Sequence, residues 1–218
     1  SAIVAARAAW LLITQHEEIE TQRKARWDMQ RQLQDRTLSL RENRQNLDRM
    51  QSIDGLTQVS NRLTLEDAIE REWRRAGRVK GPISLIMLDV DGMTEFNDLF
   101  GHLSGDRYLK LLASELDQLC GRPTDVVGRF DGDVFALVLG ATDTDGARVL
   151  ADACRRGAHN AISKLDEPPA SGLLTVSVSA VTARPAPNTM PDKFVVQART
   201  GIEEAKKAGG DSISVRTS

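Results

Sequence analysis

The chain has 218 residues, of which 40% are hydrophobic, and its 29 Lys and Arg residues nearly balance 31 Asp and Glu residues. The resulting net charge of −2 excludes a polybasic nucleic-acid binder and an acidic tail. Aromatic residues make up only 4% of the chain, which argues against a stacking platform for single-stranded nucleic acid. The two cysteines and three histidines show no metal-ligand spacing, and we expect a reducing compartment.

Residues 1–54 contain no Gly or Pro, whereas all 16 Gly and 7 Pro residues lie further along the chain. Nothing in this stretch interrupts helical hydrogen bonding, so a long helix is predicted. Aliphatic residues recur every seven positions, interrupted once by Arg26: Leu12, Ile19, Leu33, Leu40 and Leu47. This spacing predicts a parallel, dimeric coiled coil over 1–54, and a single helix packed on its own domain is the alternative.

The apolar start of the chain is too short to cross a membrane. Residues 2–13 include Arg7, and a spanning helix needs about 20 apolar residues. The segment also lacks a basic region and a cleavage site of the kind that mark a signal peptide. We therefore expect a cytoplasmic protein, either by itself or as the cytosolic part of a longer, membrane-attached or sensor-fused protein.

Predicted helices and strands alternate over residues 55–218, which we expect to form one domain. Apolar residues with helical spacing occur in four segments, the first ended by Gly77: 62–76, 105–119, 144–164 and 191–208. Apolar runs typical of strands occur in five segments: 83–90, 126–130, 134–139, 173–181 and 213–215. Asp131 and Gly132 form a typical two-residue hairpin turn. This order predicts an α/β sandwich with a mixed central sheet.

Acidic residues follow the first predicted strand and lie in the hairpin turn: Asp89, Asp91, Asp131 and Asp133. If the hairpin pairs beside that strand, these carboxylates meet at one end of the sheet. Carboxylate oxygens in such a place are how proteins hold Mg²⁺ together with a polyphosphate. Solvated acids at strand ends are the alternative.

Several motifs occur in the order and spacing of one known family: DGLTQVSNR at 54–62, DVDGMTEFNDLFGHLSGD at 89–106, RFDGDVF at 129–135, TVSVSA at 175–180 and AKKAGGD at 205–211. Over about residues 54–216 the chain resembles the GGDEF family, the diguanylate cyclases. The resemblance implies a fold like the palm of polymerases and adenylyl cyclases. It also implies that two facing domains join two GTP molecules into c-di-GMP.

The resemblance assigns roles to single residues. Asp89 and Asp133 would hold Mg²⁺ or Mn²⁺, and Lys206 would contact the phosphates. Asn97 and Asp106 would bind guanine. A carboxylate suits that role because guanine presents adjacent N–H donors.

The signature motif departs from the family pattern of Gly-Gly-acid-acid-Phe and consists of Asp131, Gly132, Asp133, Val134 and Phe135. Asp131 places a negative side chain where the family has a glycine that allows close approach of substrate. Val134 replaces the second acid and cannot bind a metal or accept a proton. Thr94 and Gly210 stand where the family has a phosphate-binding lysine and an arginine. We therefore expect impaired catalysis, because phosphoryl transfer depends on such positioned charges.

Arg122 and Asp125 precede the signature motif at the spacing of the family's inhibitory site, an Arg-x-x-Asp motif that binds c-di-GMP. An arginine fork can grip guanine or phosphate, and an aspartate can accept hydrogen bonds from the base. An exposed ion pair in a loop is the alternative.

The expected function is c-di-GMP signalling by an impaired GGDEF domain that binds c-di-GMP, GTP or both, with Mg²⁺ or Mn²⁺ accompanying any bound triphosphate. The expected partners are a second copy of the chain, joined through the N-terminal helix, and a downstream protein. No nucleic acid is expected, and membrane contact only through an upstream segment. An active diguanylate cyclase and a nucleotide-independent dimeric scaffold remain alternatives.

Overall fold

The computed structural model describes residues 27, 29–31, 36, 52–165 and 172–218. The five described positions before residue 52 are helical. The predicted heptad ladder lies outside the described residues, so the coiled coil and the domain boundary after residue 54 stay predictions. Residues 51–218 form one compact unit. Of the helices described, none is long and apolar enough to cross a membrane.

The described part of this unit contains helices α1 (Arg62–Val79), α2 (Met93–Phe100), α3 (His102–Leu119), α4 (Thr144–Ser163) and α5 (Asp192–Lys207). It contains strands β1 (Ile83–Asp91), β2 (Val126–Asp131), β3 (Val134–Gly140), β4 (Thr175–Ala183) and β5 (Ile213–Thr217). The α/β architecture and the hairpin are confirmed. Helix α2 was not predicted, because it has eight residues and buries only Phe96, so it lacks a repeated apolar spacing.

The five strands form one mixed sheet in the order β2-β3-β1-β4-β5. Central strand β1 is antiparallel to β3 and β4, whereas β5 is parallel to β4. The register places Asp89 opposite Val134 of β3 and Asp91 opposite Thr175 of β4. The C-terminal end of β1 and the hairpin turn therefore lie at the same end of the sheet, as the sequence predicted.

Both faces of the sheet are buried. Helices α3 and α4 pack on one face, where Leu88 and Leu137 point. Helices α1 and α5 pack on the other face, where Met87 and Val138 point. This alternation follows from the two-residue period of a strand, and it explains why β1 is apolar at almost every position.

Helix α1 continues past the glycine that was expected to end it. Gly77 lies inside the helix and is buried, and a Cβ there would lie 3.4 Å from the carbonyl oxygen of Ala186. The helix ends at Val79 instead, because Lys80 adopts a φ of 52° and its N–H donates to the carbonyl of Ala76. The prediction of the helix end was wrong, since this glycine serves close packing against a distant loop.

Candidate functional site

At the C-terminal end of β1, Asp89 is paired with a lysine from α5. The Lys206 Nζ lies 2.8 Å from Asp89 Oδ1. Burial raises the pKa of Asp89, and Asp133 and Asp91 add to the effect, while the Lys206 ammonium offsets only part of it. The lysine predicted to contact phosphates therefore neutralises a predicted metal ligand.

The signature motif leaves one carboxylate where the family has two consecutive acids. Val134 lies across from Asp89 in the β1–β3 register and packs against the hydrophobic cluster under α1 and α5. Asp133 is half-buried, and its backbone oxygen accepts a 3.3 Å hydrogen bond from Val90 N. In the part of the chain that the structure describes, no three Asp, Glu, His or Cys side chains are grouped to hold a metal. Because an ammonium already sits on Asp89, the residues present do not fit a divalent cation well.

The remaining signature residues shape the turn. Gly132 has a φ of 48°, in the left-handed region that this turn requires, and Phe135 is fully buried. Asp131 is exposed as the last residue of β2, opposite Val134, so the two turn residues are Gly132 and Asp133 and the predicted Asp131–Gly132 turn was wrong by one residue. Its carboxylate therefore projects where the family has a side-chain-free glycine.

Arg129 ties this hairpin to the first residues of the compact unit. Its Nε donates to the Gly132 carbonyl at 2.6 Å, and its Nη1 lies 3.3 Å from Asp54 Oδ1. Asp54 also accepts from the backbone N and the hydroxyl of Thr57, at 2.9 and 2.6 Å. Burial acts to raise the pKa of Asp54, but the hydrogen bonds from Thr57 and the charge of Arg129 outweigh it, so the pKa lies below its usual value. The sequence analysis did not predict these contacts of Asp54 and Arg129.

Asp91 accepts hydrogen bonds from three donors in two other segments, β4 and the loop after α5. It accepts hydrogen bonds from Thr175 Oγ1 and Ser177 Oγ, both at 2.8 Å, and from Asp211 N at 3.2 Å. The preceding Gly210 has a φ of 75°, and a Cβ there would lie 3.1 Å from Asp91 Oδ2. Asp91 therefore holds the loop after α5 against the sheet. The sequence analysis grouped it with the metal-binding acids, although polar residues two apart on β4 could have indicated its partners.

The two predicted guanine-binding residues lie on neighbouring helices. Asn97 of α2 and Asp106 of α3 are both half-buried. A Cβ on Gly105 would overlap Asn97 Oδ1, so Asn97 packs directly beside the residue preceding Asp106. Asn97 Oδ1 is buried without a hydrogen-bond donor. The structure thus packs the Asn97 side chain against the turn of α3 that carries Asp106, whereas Thr94 on the same helix as Asn97 is exposed.

Arg122 and Asp125 face each other across the turn between α3 and β2. Asp125 N donates to Arg122 O at 3.0 Å, and Arg122 N donates to Asp125 Oδ2 at 3.3 Å. The other oxygen, Asp125 Oδ1, is buried without a donor. Burial raises the pKa of Asp125, which the charge of Arg122 opposes and the charge of Glu72 on α1 increases. Because the bond to Asp125 uses the backbone of Arg122, its exposed side chain stays available.

The two candidate regions lie at opposite ends of β2. The Arg122–Asp125 turn precedes this six-residue strand, and the signature turn follows it. A strand of that length spans roughly 20 Å. A ligand at one region therefore does not occupy the other.

Comparisons with known proteins agree with this geometry. The family model described as "Diguanylate cyclase, GGDEF domain" matches residues 51–212. The chain is 32% identical over 162 residues to diguanylate cyclase DgcP of Pseudomonas aeruginosa, covering 74% of this chain and 23% of that protein. It is 29% identical over 177 residues to probable diguanylate cyclase DgcC of Escherichia coli K12, covering 81% and 46%. The chain thus spans less than half the length of these relatives.

Solved structures share the fold. The GGDEF domain of DgcB from Caulobacter crescentus, in complex with c-di-GMP, has a TM-score of 0.65 at 24% identity, covering 76% of this chain and 95% of that chain. A microbial GGDEF domain described in a novel interaction mode with bis-(3,5)-cyclic di-GMP has a TM-score of 0.61 at 29% identity, covering 78% and 99%. With the family model matching most of its length, this chain belongs to the GGDEF domain family.

Proposed function

We propose that this chain is a c-di-GMP receptor in which an impaired GGDEF domain binds the dinucleotide at Arg122 and Asp125. The observation that carries the proposal is the exposed side chain of Arg122 beside the Oδ2 oxygen of the Asp125 carboxylate. Guanine offers N–H donors to such an oxygen and O6 and N7 acceptors to an arginine fork. The two solved GGDEF domains with c-di-GMP support this ligand class.

We propose that the site around the signature motif, at the C-terminal end of β2, has little cyclase activity. The Lys206 ammonium is paired with Asp89, and Val134, opposite Asp89, supplies no metal ligand. Asp131 adds a negative charge where the family resemblance places the triphosphate. Loss of one such electrostatic contact commonly lowers a rate by about 10²–10³-fold. Several changes at one site therefore favour binding without turnover.

The test is calorimetric titration of the full chain with c-di-GMP. The Arg122→Ala variant should lose affinity on the order of 10- to 100-fold, because it removes a bidentate cationic donor. Arg148→Ala is the matched control, since Arg148 is exposed beside β5 at the opposite edge of the sheet. If the wild type does not bind, or if Arg122→Ala binds equally well, the proposal is wrong.

A working cyclase is the second candidate, because Asp89 and Asp133 still meet at one end of the sheet and Asn97 lies beside Gly105, next to Asp106. Chromatographic assay of GTP conversion with Mg²⁺ or Mn²⁺ distinguishes the two. Robust formation of c-di-GMP by the unaltered chain favours the enzyme. Absence of binding to both GTP and c-di-GMP favours a nucleotide-independent scaffold.

The proposed receptor acts as a homodimer through the heptad ladder of residues 1–54. Leucines aligned every seven residues on a charged helix gain most by facing a second copy. Light scattering should give a dimer mass for the full chain and a monomer mass for Leu40→Glu. Arg31→Glu, at an exposed helical position outside the heptad ladder, is the control. A monomeric wild type would contradict this part of the proposal.

A further inference from the structure

We infer that the groove between α1 and α5 is a binding site for a small organic acid, a single carboxylate carried on an apolar body. The groove has a volume of about 420 Å³ and is lined in part by Phe130 of β2. Pockets for small molecules commonly have volumes of about 300–1,000 Å³. The inference does not depend on c-di-GMP binding at Arg122 and Asp125.

Two arginines from different helices meet over the ring of Phe130. The Cζ of Arg62, the first residue of α1, lies 4.8 Å from the ring centroid, and the Cζ of Arg199 of α5 lies 5.1 Å from it. The two cations are therefore at most about 10 Å apart, a separation over which like charges repel at low salt. A guanidinium that stacks on an aromatic face keeps its N–H edge free for a carboxylate. An anion bound beside this ring would relieve the repulsion and accept hydrogen bonds from both arginines.

Arg199 is the arginine whose charge is not compensated. The Nε of Arg62 lies 2.8 Å from Glu66 Oε1, one turn further along α1. Glu70, the other α1 carboxylate that lines the groove, is paired with Arg74. Within residues 52–165 and 172–218, no carboxylate lies within ion-pair distance of Arg199. A ligand carboxylate would therefore supply the counter-charge that Arg199 lacks.

The third carboxylate of the lining limits the charge that a ligand can carry. Asp192 is exposed in the first turn of α5, where the helix N-terminus favours a negative charge. Arg199 follows seven residues later, about 10 Å along the helix axis. A ligand with one carboxylate matches the single uncompensated cation, whereas a second negative group would add repulsion from Asp192.

The remaining lining is apolar, which favours an organic acid over an inorganic anion. Ile69 and Phe130 are almost fully buried, and Val195 packs against the same hydrophobic cluster. Val196 also lines the groove and is 61% exposed. An inorganic anion would leave this surface in water. An organic acid would cover it and gain from the burial of apolar area.

The experiment titrates the full chain, labelled with ¹⁵N, with phenylacetate at low ionic strength and follows the backbone amides by NMR. Binding should shift the amides around Phe130, Val195 and Arg199. A Kd on the order of 1 mM is expected for a ligand of so few atoms. Phenylacetamide keeps the shape without the charge, and acetate and inorganic phosphate carry charge without the ring. Each of these three should bind at least about tenfold more weakly than phenylacetate.

Variants of Arg199 test the cation directly. Arg199→Gln keeps hydrogen-bond donors but removes the charge, and it should weaken phenylacetate binding by about 5- to 10-fold. Arg199→Glu should abolish binding, because its own carboxylate would take the place of the ligand beside Arg62. Lys207→Gln is the matched control, since Lys207 is an exposed cation of α5 outside the groove, and it should leave the affinity unchanged. Circular dichroism checks that each variant keeps the fold.

Four results would overturn the inference. They are the absence of amide shifts at about 20 mM phenylacetate, equal affinity for phenylacetamide, acetate or phosphate, equal affinity of Arg199→Gln and the wild type, and shifts confined to residues outside the groove. None of these measurements uses c-di-GMP. Failure of the receptor proposal and failure of this inference are thus distinguishable.

Discussion

The two ends of β2 differ in whether the charged side chain at each end is already paired within the chain. At the signature end, the Lys206 ammonium lies 2.8 Å from Asp89 Oδ1, and Asp91 accepts three hydrogen bonds. At the other end, Asp125 Oδ2 accepts from the backbone N of Arg122, so the exposed guanidinium of Arg122 stays available. A guanidinium can donate two parallel hydrogen bonds to guanine or to a phosphate, so a ligand that presents such acceptors gains most there. The difference explains why we place the receptor site away from the signature motif.

The largest effect should come from restoring the family signature with Asp131→Gly and Val134→Glu together. Formation of c-di-GMP from GTP should rise by roughly 10²-fold, because a like charge is removed and a carboxylate returns opposite Asp89. Recovery should stay partial, since Thr94 and Gly210 are unchanged. The measurement is chromatographic product analysis in Mg²⁺.

The matched control for this restoration is Asp131→Gly with Val134→Gln, which supplies the same shapes without the returned carboxylate. It should show no gain in c-di-GMP formation. Wild-type turnover equal to that of the restored variant would show that the departures do not disable the site.

An intermediate effect is expected at the other end of β2. Asp125→Ala should weaken c-di-GMP binding by roughly 3- to 10-fold, less than Arg122→Ala, because it removes an acceptor and leaves the charged fork. Burial raises the pKa of Asp125, so this carboxyl takes up a proton at a higher pH than an ordinary aspartate. Wild-type affinity should therefore fall as the pH is lowered toward that raised pKa. The affinity of the Asp125→Ala variant should not fall in this way. Calorimetric titration with c-di-GMP at a series of pH values measures the difference.

The smallest effect concerns the ion pair between Asp54 and Arg129, which links the β2–β3 hairpin to the first residues of the compact unit. Asp54→Asn should lower the free energy of unfolding by about 1–2 kcal/mol at neutral pH, since Arg129 and Thr57 bond to the charged form. The pKa of Asp54 is depressed, so its stabilisation is present above the ordinary value of 3.8 and is lost as the pH falls through the lower folded value.

Urea denaturation at pH 7 and at decreasing acidic pH checks this dependence, with the exposed Asp145→Asn as control. The stability difference between wild type and Asp54→Asn should shrink in acid. A difference independent of pH would mean that the charge of Asp54 does not hold the hairpin.

The sequence by itself determined the order of the longer helices and strands, the hairpin and the family motifs. These depend on local signals, namely apolar periodicity and the Asp-Gly pair that marks the hairpin, which need no knowledge of distant residues. The end of α1 escaped this reasoning, because the role of Gly77 depends on the backbone of Ala186 far along the chain.

Only the tertiary structure decided the partners, the burial and the pKa of each candidate site residue. The resemblance placed Lys206 at the phosphates, but its position on Asp89 depends on how α5 packs over β1. The register of β1 and β3 put Val134 across from that same carboxylate. Whether Asp125 keeps an unpaired oxygen likewise depends on the packing around its turn. Pairing, burial and pKa arise from groups distant in sequence, and a motif specifies which residues are present but not which partners satisfy them.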